Sequence, residues 1–121
     1  MTLHLETGDV YWANLRPRSA AEQTGKRPVI ILSHDAFNQT RGWRSIIVIR
    51  CSTSKRQRRR GPTAIALPKG RGGLRESGVA LCHQITTLDR DKLAEKIGAL
   101  SPALLQAVEA GILAALDIDC A

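Results

Sequence analysis

The sequence predicts a small, mainly β domain: a partly open barrel with one α-helix at its C-terminus. Three observations carry this expectation. Five to six short apolar runs, rich in β-branched residues, are separated by loops of Gly, Pro and Arg. Only one stretch, Leu104 to Leu116, repeats its apolar residues at helical spacing. The 121 residues suit one domain with a single core, and the chain shows no internal repeat or linker.

Residues 1–7 read as a tail, with no apolar stretch like a signal peptide. Gly8-Asp9 opens a first strand, Val10 to Leu15, in which Trp12 reads as core. Arg16 to Lys26 reads as loop. Val29 to Leu32 is short and wholly apolar, a strand buried on both faces. Ser33 or Asp35 is placed to cap a helical turn through Phe37, which Gly42 ends. Trp43 to Cys51 is the strongest strand. Ile46, Ile47, Val48 and Ile49 leave it no polar face, so it belongs at the centre of a sheet. Thr63 to Leu67 follows between Pro62 and Pro68, then a glycine-rich basic loop, Lys69 to Ser77. Gly78 to Cys82 and Gln84 to Leu88 make two further short strands with a bend near His83. Ser101 as N-cap and Pro102 at the first helical position start a helix over 101–117, with Leu104, Val108, Ile112 and Leu116 on its apolar side.

Charge is distributed unevenly. The net formal charge is +7, and from Ala36 to Arg75 there are eleven Lys or Arg and no Asp or Glu. A field that one-sided attracts polyanions. Nucleic acid is the first class it suggests; an acidic membrane surface or an acidic protein segment is the other. Its centre is Lys55-Arg56-Gln57-Arg58-Arg59-Arg60, either a solvated loop of self-repelling charges or a phosphate-binding segment that orders on its partner. Cys51, Cys82 and Cys120 are odd in number and widely spaced, against both a disulfide framework and a zinc site. No run approaches membrane-spanning length, and a reducing cytoplasm is the simplest home. No metal or cofactor is expected.

The segment Glu22-Gln23-Thr24-Gly25-Lys26-Arg27-Pro28 brackets a glycine with an acid and an arginine just before an apolar strand. Pro28 biases Arg27 toward extended backbone. A charged side chain is thereby held where a loop enters a sheet, a frequent position for anion sites. Read alone, the segment is more simply a solvated turn with a surface ion pair.

Its company gives it meaning. Gly8-Asp9-Val10, the Glu22-to-Pro28 loop, Leu32-Ser33, Cys51-Ser52-Thr53, Gly78-Val79-Ala80-Leu81, Gln84-Ile85 and Leu100-Ser101-Pro102 occur in order. Together they resemble the MazF/PemK family of bacterial toxin endoribonucleases over about residues 8–117. The resemblance implies an SH3-like barrel of the MazF/CcdB type, a homodimer, and metal-independent cutting of single-stranded RNA at short sequences. It implies a cognate antitoxin whose acidic C-terminal segment crosses the RNA groove. By position Arg27 matches the family's catalytic arginine and Glu22 the acid of the same loop. Ser52 falls where the family usually has a catalytic threonine, with Thr53 beside it, so a hydroxyl is kept. His83 stands where an aspartate is common, either as an accessory proton carrier or as a structural or RNA-contacting replacement.

The residue types fit the chemistry. When a 2′-hydroxyl attacks the neighbouring phosphorus, a guanidinium fork suits the phosphorane oxygens, which is the role expected of Arg27. Ser52 or Thr53 adds a hydrogen bond to that charge, and Glu22 is placed to take the proton. Lys26, Lys55, Arg56, Arg58, Arg59, Arg60, Lys69 and Arg71 are the expected phosphate contacts, and Trp43, at a loop edge, the expected stacking surface for an unpaired base. Two other readings compete: a gyrase-binding toxin on the same fold, and a basic RNA-binding barrel without activity. The gyrase-poisoning relatives act through a helix ending in an aromatic residue, whereas this chain ends Asp117-Ile118-Asp119-Cys120-Ala121.

Overall fold

The computed structural model describes residues 4–15, 25–53 and 61–119. Six strands form one antiparallel sheet: β1 (Asp9–Leu15), β2 (Gly25–Ile31), β3 (Ser45–Ser52), β4 (Ala64–Leu67), β5 (Gly78–Asp89) and β6 (Leu93–Ala99). Their order across the sheet is β4-β5-β3-β2-β1-β6. The all-apolar β3 is central, as its sequence requires, between β2 and β5.

The segments read as two strands around His83 are one strand of 12 residues, β5. The expected bend is still there. Ile49 of β3 lies opposite Ile85, and Cys51 opposite Ala80, so the four residues Leu81 to Gln84 stand against Arg50 alone. Such excess on one strand bends it. Before the bend β5 also pairs with β4, Ala64 opposite Leu81 and Leu67 opposite Gly78. The sheet therefore curls, and the 3-10 turn Arg71–Gly73 after β4 reaches β6 at the opposite edge. Bare backbone meets bare backbone there: a Cβ on Gly98 would lie 2.5 Å from the Gly72 carbonyl oxygen. Glycine permits that approach.

β6 pairs with β1 through irregular register and was not foreseen in the sequence. Conversely, residues 4–7 of the segment read as tail are tied down. Leu5 is fully buried, and Asp35 accepts the Thr7 N–H at 2.7 Å and the Thr7 hydroxyl at 3.1 Å.

Side chains divide by strand alternation into two cores. Val10, Ile30, Ile49, Cys51 and Cys82 point to the side covered by α2 (Pro102–Leu116 in full), while Tyr11, Val29, Ile31, Ile46 and Val48 pack with Leu5 and Leu93 on the other. Ser101 caps α2, its hydroxyl accepting the Leu104 N–H at 3.2 Å, with Pro102 beginning the helix; Asp117 ends it in the left-handed conformation. Val108 is fully buried against the sheet, which stabilises the docking by roughly 1.5–3 kcal/mol. Gly111 lets the helix close on Cys82 and Ile65. The short helix α1 (Asp35–Asn38; α2 follows it in the chain) is capped by His34, whose Nδ1 accepts the Ala36 N–H at 2.9 Å. Neither Ser33 nor Asp35 is the cap: Ser33 donates to Asn38, and Asp35 is engaged by Thr7.

Candidate functional site

The site arises where two paired strands part. β2 pairs with β3 from Ile31 opposite Val48 to Val29 opposite Arg50. Residues 25–28 of β2 continue along β1 only, and Cys51 and Ser52 of β3 continue along β5 only. Pro28 is suited to that open stretch because it has no N–H to offer a second neighbour. Two residues further in the same register, Arg27 would stand opposite Ser52. A groove of about 820 Å³ opens at this fork, and Arg27, Ser52 and Thr53 all line it. Gly78 backs the site: a Cβ there would come 2.6 Å from the Ser52 carbonyl oxygen, so β5 packs directly under the hydroxyl-bearing end of β3.

The groove is predominantly cationic. Lys26, Arg27, Arg50, Arg75 and Lys96 line it against Glu76 and Glu95. Lys26 lies 4.0 Å from Glu95, both on the exposed rim. Lys96 lies 3.4 Å from Asp9, a buried carboxylate that also accepts the Glu6 N–H. Neutral groups are Gln84 from the β5 bend and the half-buried Trp12, which pairs with Pro28. Cys51 also touches the groove, but burial, and to a lesser degree Cys82, push its thiol up to about 12; burial pushes Cys82 up to about 11. Both are free, protonated thiols at neutral pH and offer no nucleophile.

A model of the PemK-like, MazF-like toxins of type II toxin–antitoxin systems matches residues 6–116. The chain belongs to this family. Among its relatives is an endoribonuclease MazF from Staphylococcus saprophyticus, 32% identical over 108 residues that span 89% of this chain and 88% of that one. The fold is also close to solved structures. One is an endoribonuclease in complex with its cognate antitoxin from a mycobacterial species: TM-score 0.77, 25% identity, 97% of this chain and 99% of that chain. Another is a MazE–MazF complex from Deinococcus radiodurans, with the same TM-score of 0.77, 25% identity, and 97% and 99% coverage.

The MazF-type site residues expected from sequence separate into three groups. Arg27, Ser52, Thr53 and Lys26 come together in the groove. Glu22, Lys55, Arg56, Arg58, Arg59 and Arg60 lie outside the described residues. The remainder lie elsewhere in the chain. Lys69 and Arg71 are exposed on the turn after β4 and do not line the groove. Trp43 lines a different groove, of about 740 Å³, where its ring packs on Phe37 with centroids 5.0 Å apart and its Nε1 donates to the Ser45 carbonyl. The indole that does line the groove at the β2–β3 fork is Trp12, read from sequence as core. His83 does not line the groove either; its Nδ1 shares a 2.7 Å hydrogen bond with Thr63 Oγ1 at the β5 bend. Sequence reasoning also missed Arg50, Arg75, Gln84 and Lys96. None of them stood out in the sequence, since Arg44 shares the Trp43-to-Cys51 run with Arg50.

Proposed function

We propose that this chain is the toxin of a toxin–antitoxin pair and an endoribonuclease that cuts single-stranded RNA at particular sequences without a metal ion. The observation that carries this is the fork between β2 and β3, with Arg27 and the Ser52–Thr53 pair lining one cationic groove in a member of the PemK/MazF family. In the proposed reaction the 2′-hydroxyl attacks the adjacent phosphorus and gives its proton to Glu22. Arg27 donates to the non-bridging oxygens as charge develops on the phosphorane, and Ser52 or Thr53 adds a further hydrogen bond. The bond from phosphorus to the 5′-oxygen then breaks. A guanidinium is too weak an acid to protonate that oxygen, so solvent supplies the proton. The products are a 2′,3′-cyclic phosphate, or the 3′-phosphate from its hydrolysis, and a 5′-hydroxyl.

Two assembly features belong to the same reading. The protein is a homodimer with a two-fold interface, for which the exposed Ile47 and Ile85, on one face of the β3–β5 pair, are suitable contacts. The antitoxin binds through an acidic C-terminal segment drawn to the groove's cations. Solved relatives include toxins with their antitoxins. Mapping 5′-hydroxyl ends of transcripts after brief induction tests activity and target together. A sharp set of new ends at a common short sequence is expected. Unchanged transcripts in cells that nonetheless stop growing would favour a binding toxin instead.

A further inference from the structure

Of the five cations lining the groove, two have no ion-pair partner among the described residues. Lys26 is near Glu95, Lys96 is held by Asp9, and Arg27 is engaged; Arg50 and Arg75 form no ion pair among the described residues. Both are exposed. Arg50 lies on the central strand, paired with Val29 on one side and facing the β5 bend on the other. Arg75 follows the buried Leu74, immediately after the turn whose glycines are pressed against β6. Its neighbour Glu76 also lines the groove, so the positive charge there is local to the arginines and not uniform.

We propose that Arg50 and Arg75 form a second phosphate subsite, which holds the RNA backbone one nucleotide away from the bond being cut. The inference rests on the nuclease reading of the groove. Strand geometry sets Arg50 about 6–7 Å from Ser52, two residues along β3, comparable with one backbone step of an extended RNA strand. Guanidinium groups bind phosphate oxygens through paired N–H donors, which fixes the orientation of the strand as well as attracting it. The subsite therefore sets the register in which bases enter the groove, and the substrate it favours is an extended strand with at least two consecutive phosphates.

The test is binding of a short, fluorescently labelled 2′-O-methyl RNA spanning the mapped cut site, which the enzyme binds and does not cleave. Affinity is measured over a range of salt. Arg50→Gln and Arg75→Gln should each weaken binding by about 3–10-fold and lower the salt slope by about 0.7 per lost contact. Arg41→Gln, which removes one charge outside the groove, should do neither. Replacing the phosphate next to the scissile one by a neutral methylphosphonate should weaken the wild type and leave Arg50→Gln almost unaffected. If both arginine variants bind like the wild type, or lose as much as the wild type on the neutral linkage, there is no such subsite. A folded wild type that binds no RNA at all would overturn the nuclease reading itself.

Discussion

Arg27 is the residue on which the proposed chemistry turns. Removing a donor that meets developing negative charge costs about 10²–10³ in kcat. Arg27→Ala should lose activity on that scale, and an unchanged far-UV spectrum should show the fold intact. Activity equal to the wild type would move the site elsewhere. Of the two hydroxyls, Ser52 is half-buried and Thr53 exposed, so Ser52→Ala should cost more in kcat than Thr53→Ala, as single-turnover kinetics would measure. His83 presents a different case. Its hydrogen bond to Thr63 ties the β5 bend to the turn before β4, which argues for a positioning role. His83→Ala should lower stability by about 0.5–1.5 kcal/mol and leave the shape of the pH–rate profile unchanged; a lost limb in that profile would restore a proton-carrying role. Arg27 was legible because a Gly-Lys-Arg-Pro run before an apolar strand constrains where its side chain sits. Arg50, Arg75 and Gln84 were not, because their convergence depends on a strand fork and a bend that pairing creates.

At the scale of elements, the N-terminal segment and α1 meet at the Asp35 carboxylate. Asp35 accepts from the Thr7 N–H, the Thr7 hydroxyl and Asn38. The Thr7 backbone hydrogen bond foremost, and then the side-chain bonds of Asn38 and Thr7, hold its pKa below the ordinary carboxylate value. A depressed folded pKa contributes stability above the unfolded pKa, near 3.9, and that stability disappears as pH falls through the folded value. Urea titrations at several pH values should show Asp35→Asn less stable than wild type at pH 7, with the gap narrowing in acid. A gap independent of pH would mean that the carboxylate charge is not the stabilising feature. On the helix, Ser101→Ala should cost about 1 kcal/mol by removing the cap. The helix was readable throughout, since Ser101-Pro102 and the Leu104–Val108–Ile112 spacing agree on its start and its buried side. β3 was readable for the same kind of reason. β6 was not: Leu93–Ala99 carries Ala, Glu, Lys and Gly, poor strand formers that pair because β1 offers an edge. β2 begins earlier than its apolar run suggests, because Gly25 to Pro28 follow β1 without being buried by β3.

For the whole molecule, charge and apolar exposure make separate predictions. The chain carries +7 with its basic residues concentrated in the middle third, so affinity for RNA should fall steeply with salt. Neutralising Arg58, Arg59 and Arg60 together should flatten that slope; an unchanged slope would reduce the run to a solvated loop. Ile47 and Ile85 are 41% and 37% exposed on one face. Ile47→Glu should convert a dimer to monomer in light scattering at micromolar concentration, and a wild type that is already monomeric would contradict the dimer. The central claim is metal-free cleavage by the RNA's own 2′-hydroxyl, and the ends of the cut RNA report on it directly. Purified protein should cut single-stranded RNA in excess EDTA, leaving a 5′-hydroxyl and a 2′,3′-cyclic phosphate or 3′-phosphate, with the cut lost in Arg27→Ala. Ends bearing a 5′-phosphate, or cleavage that stops until magnesium is restored, would contradict it.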